Sequence, residues 1–312
     1  MPVPTTMQAA RIHAFGGPDR IRIDTLDVPE PGPGEVLVAV HAASVNGADL
    51  QLREDGFDGY FSPPFVLGMD LAGVVVARAA GVDGVAVGSR VHGRHGGAAR
   101  GTFASFVAMP ADELVTVPDT IDDTVAAAIP VVGLAAWQSL FDLGDLQSGQ
   151  RVLIQGAGGS VGHLAVQLAT EAGAYVIASD GAHALERLRA LGADEVHDHR
   201  QTDVVATIDP VDLVLDTVGG PVTAASLPAV KDGGRLVTLA GDPDEEAAAA
   251  RNITARMIDS WMDREDLVDL DARLVDGRLT IDIAEVVPLA DSARAHELAA
   301  QGLGKVVVVV AH

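Results

Sequence analysis

The sequence predicts an α/β protein of two domains: a smaller, mainly antiparallel β domain and a doubly wound parallel sheet with helices on its faces. Three observations predict it. A chain of 312 residues exceeds one ordinary domain. Its first part is a succession of short β runs broken by Gly and Pro, such as EVLVAVHAASV (Glu35–Val45) and LAGVVVARAA (Leu71–Ala80). From Arg151 onward, strand-like RVLIQ, YVIAS, VDLVLDTV and GRLVTLA alternate with helical segments such as ALERLRALGA. That alternation is what a parallel sheet with crossover helices requires.

The boundaries follow from the same patterns. FASFVAMP and ELVTVPD continue the β style, so the first domain spans residues 1–123. The segment Thr124–Asp145 reads as helices interrupted by Pro130 and Gly133, and opens a second domain over 124–274. AEVVPLADSARAHELAA carries a short strand and then a helix. The apolar run KVVVVV returns to the first domain's sheet, so residues 275–312 complete that domain.

Composition excludes several functions. With 21 basic and 44 acidic residues, the formal net charge is -23. Such a surface repels phosphate backbones and anionic membranes, so neither nucleic acid nor membrane is an expected partner. Cysteine is absent, which removes disulfides, thiolate zinc sites, iron–sulfur clusters and a cysteine nucleophile. The two lysines, Lys231 and Lys305, read as compositional bias. The start MPVPTTMQAARIHAF lacks the basic and apolar run of a signal peptide, and no stretch approaches a membrane span; a cytoplasmic protein is expected.

The segment Arg151–Asp180 carries the strongest motif. A strand runs into Gly156-x-x-Gly159-x-x-Gly162 and a helix follows, with Gly158, Ser160 and Val161 completing the loop. Glycines let the backbone turn tightly and approach a pyrophosphate, and the helix N-terminus offers free N–H groups and a favourable dipole. The second strand ends in Ser179 and Asp180. A carboxylate there accepts the ribose hydroxyls of NAD and repels the extra phosphate of NADP. A solvated loop aspartate is the other reading.

Together with LRALGADEVHDHR, VDLVLDTVGG and GGRLVTLAG, this segment resembles the medium-chain dehydrogenase/reductase superfamily. Within it the chain is similar to the zinc-independent, zeta-crystallin-like quinone oxidoreductase branch. The first domain adds VPEPGPGEVLVAVHAASVNGADLQLR, PPFVLGMDLAGVVV and GTFASFVAMPADELVTVPD. The resemblance implies a GroES-like catalytic domain, a Rossmann domain, a cofactor in the cleft between them, and a homodimer. Zinc-using relatives carry a cysteine near Asn46 and a histidine where Met69 stands, so no metal is expected. Relatives that use NADP(H) grip its 2′-phosphate with residues that match Gly181, His183 and His199. With Asp180 beside them, the sequence leaves NADP(H) and NAD(H) open.

The same resemblance nominates the remaining site residues. Asn46 corresponds to an Asn near the nicotinamide, whose amide would donate to the substrate oxygen; a turn-capping role is the alternative. Ser44 and Asp49 stand behind it as weaker catalytic candidates, and Asp70 organises the site by hydrogen bonding. Val132, Gly133 and Ala136 would lie under the nicotinamide. Val218 and Gly241, after strand-like runs, would meet the cofactor at the carboxyl edge of the sheet. Gln51 and Phe57 stand where the family often has tyrosines facing a small-molecule substrate, leaving Tyr60 as a substitute. No Tyr-x-x-x-Lys pair of a short-chain dehydrogenase occurs. The implied activity is hydride transfer from NAD(P)H to a quinone, enone or other activated carbonyl or alkene. A dinucleotide-binding redox sensor or structural protein without turnover, and an alcohol dehydrogenase, are the alternatives.

Overall fold

The computed structural model describes residues 3–95 and 101–311. Contacts divide the chain into two compact units: Met1–Val131 with Met262–Val275 and Ile281–His312, and Val132–Trp261 with Asp276–Thr280.

The first unit is built on a seven-stranded sheet. Its order is Ile283–Pro288, Lys305–Val309, Glu35–Val45, Asp70–Arg78, Arg90–Arg94 and Leu114–Thr116, with Phe106–Pro110 also paired to Glu35–Val45. A three-stranded sheet joins Ile21–Asp27, Thr6–Ile12 and Phe65–Val66. The long strand Glu35–Val45 explains the curl. Val36, Val38 and Val40 enter the main core, whereas Leu37 and Ala39 pack with Phe106 and Ala108 on the other face. Register breaks after Leu37 and after Val40 shift this alternation and bend the strand.

KVVVVV obeys the same period. Val306 and Val308 enter the main core, and Val307 joins Ala42, Ala72 and Ala126–Ala128 in a second one. The strand pairs antiparallel to residues 42–45 of Glu35–Val45.

The second unit holds six parallel strands in the order Glu195–Asp198, Tyr175–Asp180, Arg151–Gln155, Val211–Asp216, Val230–Thr238 and Thr254–Met257. Buried Leu153, Ile177, Val214 and Leu236 give it a continuous apolar middle. The chain runs outward in one direction from Arg151–Gln155 and in the other from Val211–Asp216. The strand order therefore reverses between these two neighbours, which is where ligands bind in such sheets.

Two local expectations change. Only Pro130 interrupts the helical segment after Ile121: helices span Asp123–Ala128 and Pro130–Trp137, and Gly133 lies inside the second. Proline suits a first helical position because its missing N–H has no partner there anyway. The helix Arg264–Val275 groups with the first unit, whereas from sequence it belongs to the second domain. The cause is a buried polar link. His92 Nε2 lies 2.9 Å from Asp271 Oδ2, and its Nδ1 donates to Ala126 O at 2.8 Å. Among the described residues, no helix is long and apolar enough to cross a membrane.

Removing one partner of a buried pair strands the other. Asp271→Ala should therefore lower the stability of the first unit by about 3–5 kcal/mol, read as an earlier calorimetric transition. An unshifted transition would show that the helix is held by its apolar face alone.

Candidate functional site

In the second unit, the strand Arg151–Gln155 passes directly into the glycine loop. Gly156 has φ +69°, and a Cβ there would sit 2.4 Å from Thr217 Oγ1. That hydroxyl is occupied, donating to Gln155 O at 2.9 Å. A Cβ on Gly162 would sit 2.3 Å from Gly156 O, so the helix Gly162–Glu171 can start this close to the loop only with glycine. Gly159 differs: an added Cβ would meet only Gly156 O, at 3.3 Å. The half-buried Ser160 and Val161 complete the turn.

Beside the loop lies a cavity of about 780 Å³, lined by Gly156, Ser179, Asp180, His199, Arg200 and Val218 among others. Ser179 and Asp180 are at the carboxyl end of their strand. Ser179 Oγ is buried without a hydrogen-bond partner among the described residues. A tight loop with no room for a Cβ at Gly156 or Gly162, an unmatched hydroxyl and a cavity at the reversal of strand order suit a dinucleotide.

Asp180 is a strap across this site. Its Oδ2 accepts from the Gly158 N–H at 2.7 Å and its Oδ1 from the Gly181 N–H at 2.6 Å. From sequence it faces the ribose hydroxyls; here the carboxylate first ties the glycine loop to the second strand. Each oxygen keeps a further lone pair. A Cβ on Gly181 would lie 3.0 Å from His183 Nδ1 and 3.9 Å from Arg200 Cζ, so both side chains flank the same turn. The sequence match named His183 and passed over Arg200. The available signal was the basic residue directly after His199.

The catalytic candidates form a buried polar cluster in the first unit. Asn46 follows the strand Glu35–Val45 and caps the helix Gly47–Glu54. Its backbone N–H donates to Asp49 Oδ2 at 2.9 Å, and Asp49 Oδ1 accepts from the Gly68 N–H at 3.1 Å. Asp70 Oδ1 accepts from the Ser44 N–H and hydroxyl at 3.0 and 2.8 Å. The Asn46 amide donates to Asp70 Oδ2 at 3.2 Å and to Ser44 O at 3.4 Å. Its oxygen accepts from the Lys305 ammonium, which also donates to Val45 O at 3.0 Å. Ser44, Asp49, Asp70 and Lys305 are fully buried.

This geometry turns the Asn46 assignment. An ammonium must face the amide oxygen, which fixes the rotamer, and both amide hydrogens are then spent inside the cluster. Asn46 is a cap and a network member with no N–H left for a substrate oxygen. Lys305 was missed, although a lone charge opening an apolar strand demands buried partners. Burial pushes the Asp49 carboxyl up to about 7, with Asp70 adding to the rise and the Asn46 N–H and Lys305 opposing it.

The comparisons with known proteins agree with this architecture. The alcohol dehydrogenase GroES-like domain family matches residues 32–119, and the zinc-binding dehydrogenase family matches residues 191–308. The quinone oxidoreductase of Coxiella burnetii superposes with a TM-score of 0.91 at 30% identity, covering 98% of this chain and 100% of that one. The chain belongs to the quinone oxidoreductase branch of the medium-chain dehydrogenase/reductase superfamily. Its first unit is the GroES-like domain and its second the Rossmann-like domain. A mycobacterial protein solved with NADPH has a TM-score of 0.86 at 26% identity, covering 97% of this chain and 99% of that one. A mycocerosic acid synthase-like polyketide synthase of Mycobacterium tuberculosis is 31% identical over 326 residues, which is 97% of this chain and 15% of that protein. The chain thus spans a small part of that relative.

The remaining expected site residues lie outside the lining of this cavity. Val132, Gly133 and Ala136 are buried in the helix Pro130–Trp137, and neither they nor the exposed Gly241 line the cavity. Gln51 is exposed on the helix Gly47–Glu54. Phe57, at φ +55°, and Tyr60, 84% exposed, both set their rings edge-on to Phe61. Residues 158–162 also spell Gly-x-Ser-x-Gly, the spacing of a hydrolase elbow. Ser160, however, lacks a positive φ, and the His163 ring nitrogen is bound to Gly159 O at 2.9 Å.

Asp180→Ala should weaken binding of both dinucleotides, since the loop anchor is lost, and weaken NADH more, since its ribose acceptor is lost too. A charged hydrogen bond of about 1.5–3 kcal/mol corresponds to about 10- to 100-fold in Kd by fluorescence titration. Equal affinities before and after the change would place the carboxylate outside the site.

A carboxyl raised above its unfolded value holds a proton in the folded state that the unfolded chain has released. Its stabilisation is therefore lost as pH rises from about 4 towards about 7. The first unit's melting temperature should be lower at pH 8 than at about pH 5.5, and Asp49→Asn should flatten the difference. A slope unchanged in the variant would assign it to other groups.

Proposed function

We propose that the protein reduces a quinone, an enone or another conjugated carbonyl with NAD(P)H, preferring NADPH, and without zinc. The observation that carries this reading is the glycine loop strapped by Asp180 beside a cavity lined by Arg200, with His183 on the adjoining Gly181 turn. Bound there, the dinucleotide supplies the hydride. The chain's own residues bind and orient it: the loop backbone leaves room for the pyrophosphate, the second lone pairs of Asp180 suit ribose hydroxyls, and the Arg200 guanidinium with His183 suits a 2′-phosphate. The mycobacterial relative, solved with NADPH, fits the same cofactor.

The first unit's chemistry supports the acceptor class. Asn46 offers an amide whose oxygen already faces an ammonium, and Met69 offers a thioether in place of an imidazole; neither suits zinc. With the Asn46 donors spent as well, little remains to stabilise the alkoxide of a simple alcohol. A quinone or enone delocalises its developing charge over its own conjugated system and asks less of the protein. The unsaturated acyl chains handled by enoyl reductases fall in the same class, and an enoyl reductase shares the fold.

The test is dinucleotide oxidation with a panel of naphthoquinone, cyclohexenone, an enoyl thioester and a saturated ketone, with EDTA present. Turnover should appear on conjugated acceptors only. NADPH should exceed NADH in kcat/KM by about tenfold or more, and Arg200→Glu should reverse that order. Reduction of the saturated ketone alone, or activity lost to EDTA and restored by zinc, would overturn the reading.

A further inference from the structure

We infer that Lys305 is a positioning residue for this reaction, whose buried ammonium holds the Asn46 amide and thereby sets the start of the helix Gly47–Glu54 and the aromatic segment after it. The inference rests on the reductase reading above.

An ammonium without solvent access costs several kcal/mol unless its partners are well placed. Lys305 is fully buried, and its two acceptors, Val45 O and Asn46 Oδ1, lie at the junction of the strand Glu35–Val45 and the helix. The last strand of the sheet thus reaches across to grip the turn between two early elements. Two further contacts spread that grip. The Asn46 amide, oriented by the ammonium, donates to Asp70 Oδ2, and the Asn46 backbone N–H donates to Asp49 in the first turn of the helix.

The helix Gly47–Glu54 is too short to be stable on its own, so its direction comes from its ends. The far end is tied by the Gly16 N–H to Arg53 O at 3.1 Å and by Arg53 Nε to Gly16 O at 2.9 Å. The near end is tied by the Lys305 cluster. Beyond the helix come Phe57 and Tyr60, packed edge-on to Phe61. Without the ammonium, the Asn46 amide is free to turn over, and the Asp49 and Asp70 carboxylates are left without a counter-charge. The helix start and the aromatic segment would then shift together, while the glycine loop of the second unit keeps all of its own bonds.

That separation makes the test specific. Lys305→Met keeps an unbranched side chain out to the Cε position and removes the ammonium. It should raise KM for the conjugated acceptor at least tenfold, lower kcat less, and leave the Kd for NADPH unchanged. Hydrogen exchange should speed up at the amides of residues 47–54 and not across the rest of the first unit. Asn46→Ala, a milder change that leaves Lys305 with Val45 O, should give the same KM-against-kcat split should Lys305→Met not fold. In the double variant the KM effect should be no larger than in either single one.

Unchanged KM and unchanged exchange in a folded variant would overturn the inference, as would equal losses in kcat and dinucleotide affinity. An inactive wild type that still binds NADPH would instead sink the reductase reading. The exchange measurement would then decide by itself whether Lys305 holds the helix.

Discussion

The hydrogen bond from the Gly158 N–H to the Asp180 carboxylate is the contact on which the second unit's site depends. It joins the loop after one parallel strand to the end of the next, and the Ala157 N–H, donating to Ser179 O at 3.0 Å, doubles the seam. A charged acceptor makes the bond stronger than a neutral one. With the loop pinned, the positive φ of Gly156 and the close approach of Gly162 become requirements rather than options. The second oxygen of the same carboxylate holds Gly181, and so places the turn that His183 and Arg200 flank.

A second buried acid plays a comparable part in the first unit. Asp70 gathers the Ser44 backbone, the Ser44 hydroxyl and the Asn46 amide, and the Lys305 ammonium closes the set from the other side of Asn46. Both units thus use a carboxylate at a strand terminus to fix the loop that follows a neighbouring strand. In the Rossmann-like unit the strap leaves a cavity open beside it. In the GroES-like unit it leaves none of the amide's donors free, which moves the chemistry of the proposed reaction towards acceptors that stabilise their own charge.

Much of the fold was legible because it rests on local constraints. Short apolar runs marked Glu35–Val45 and Lys305–Val309 as strands, and small residues between a strand and a helix marked Gly156–Gly162. What escaped was set by pairings that sequence distance hides. Asn46 reads equally as a substrate donor and as a cap until Lys305, at the far end of the chain, is seen against its oxygen. Arg200 looks like any loop arginine until the parallel pairing of Asp180 with Asp198 brings its turn beside Gly181. Val132, Gly133 and Ala136, expected from the resemblance under the nicotinamide, lie within the helix Pro130–Trp137, where small residues also serve close packing.

The strand Lys305–Val309 has a consequence for how the chain is made. It lies between Glu35–Val45 and Ile283–Pro288, so the first sheet lacks an interior member until residue 309 has been synthesised. The six-stranded sheet, drawn from one uninterrupted stretch between Arg151 and Met257, suffers no such delay. On the ribosome the later-encoded sheet is the first to have all its parts. Until then residues 42–45 of Glu35–Val45 keep one edge unpaired, the kind of exposed strand edge that invites misassembly.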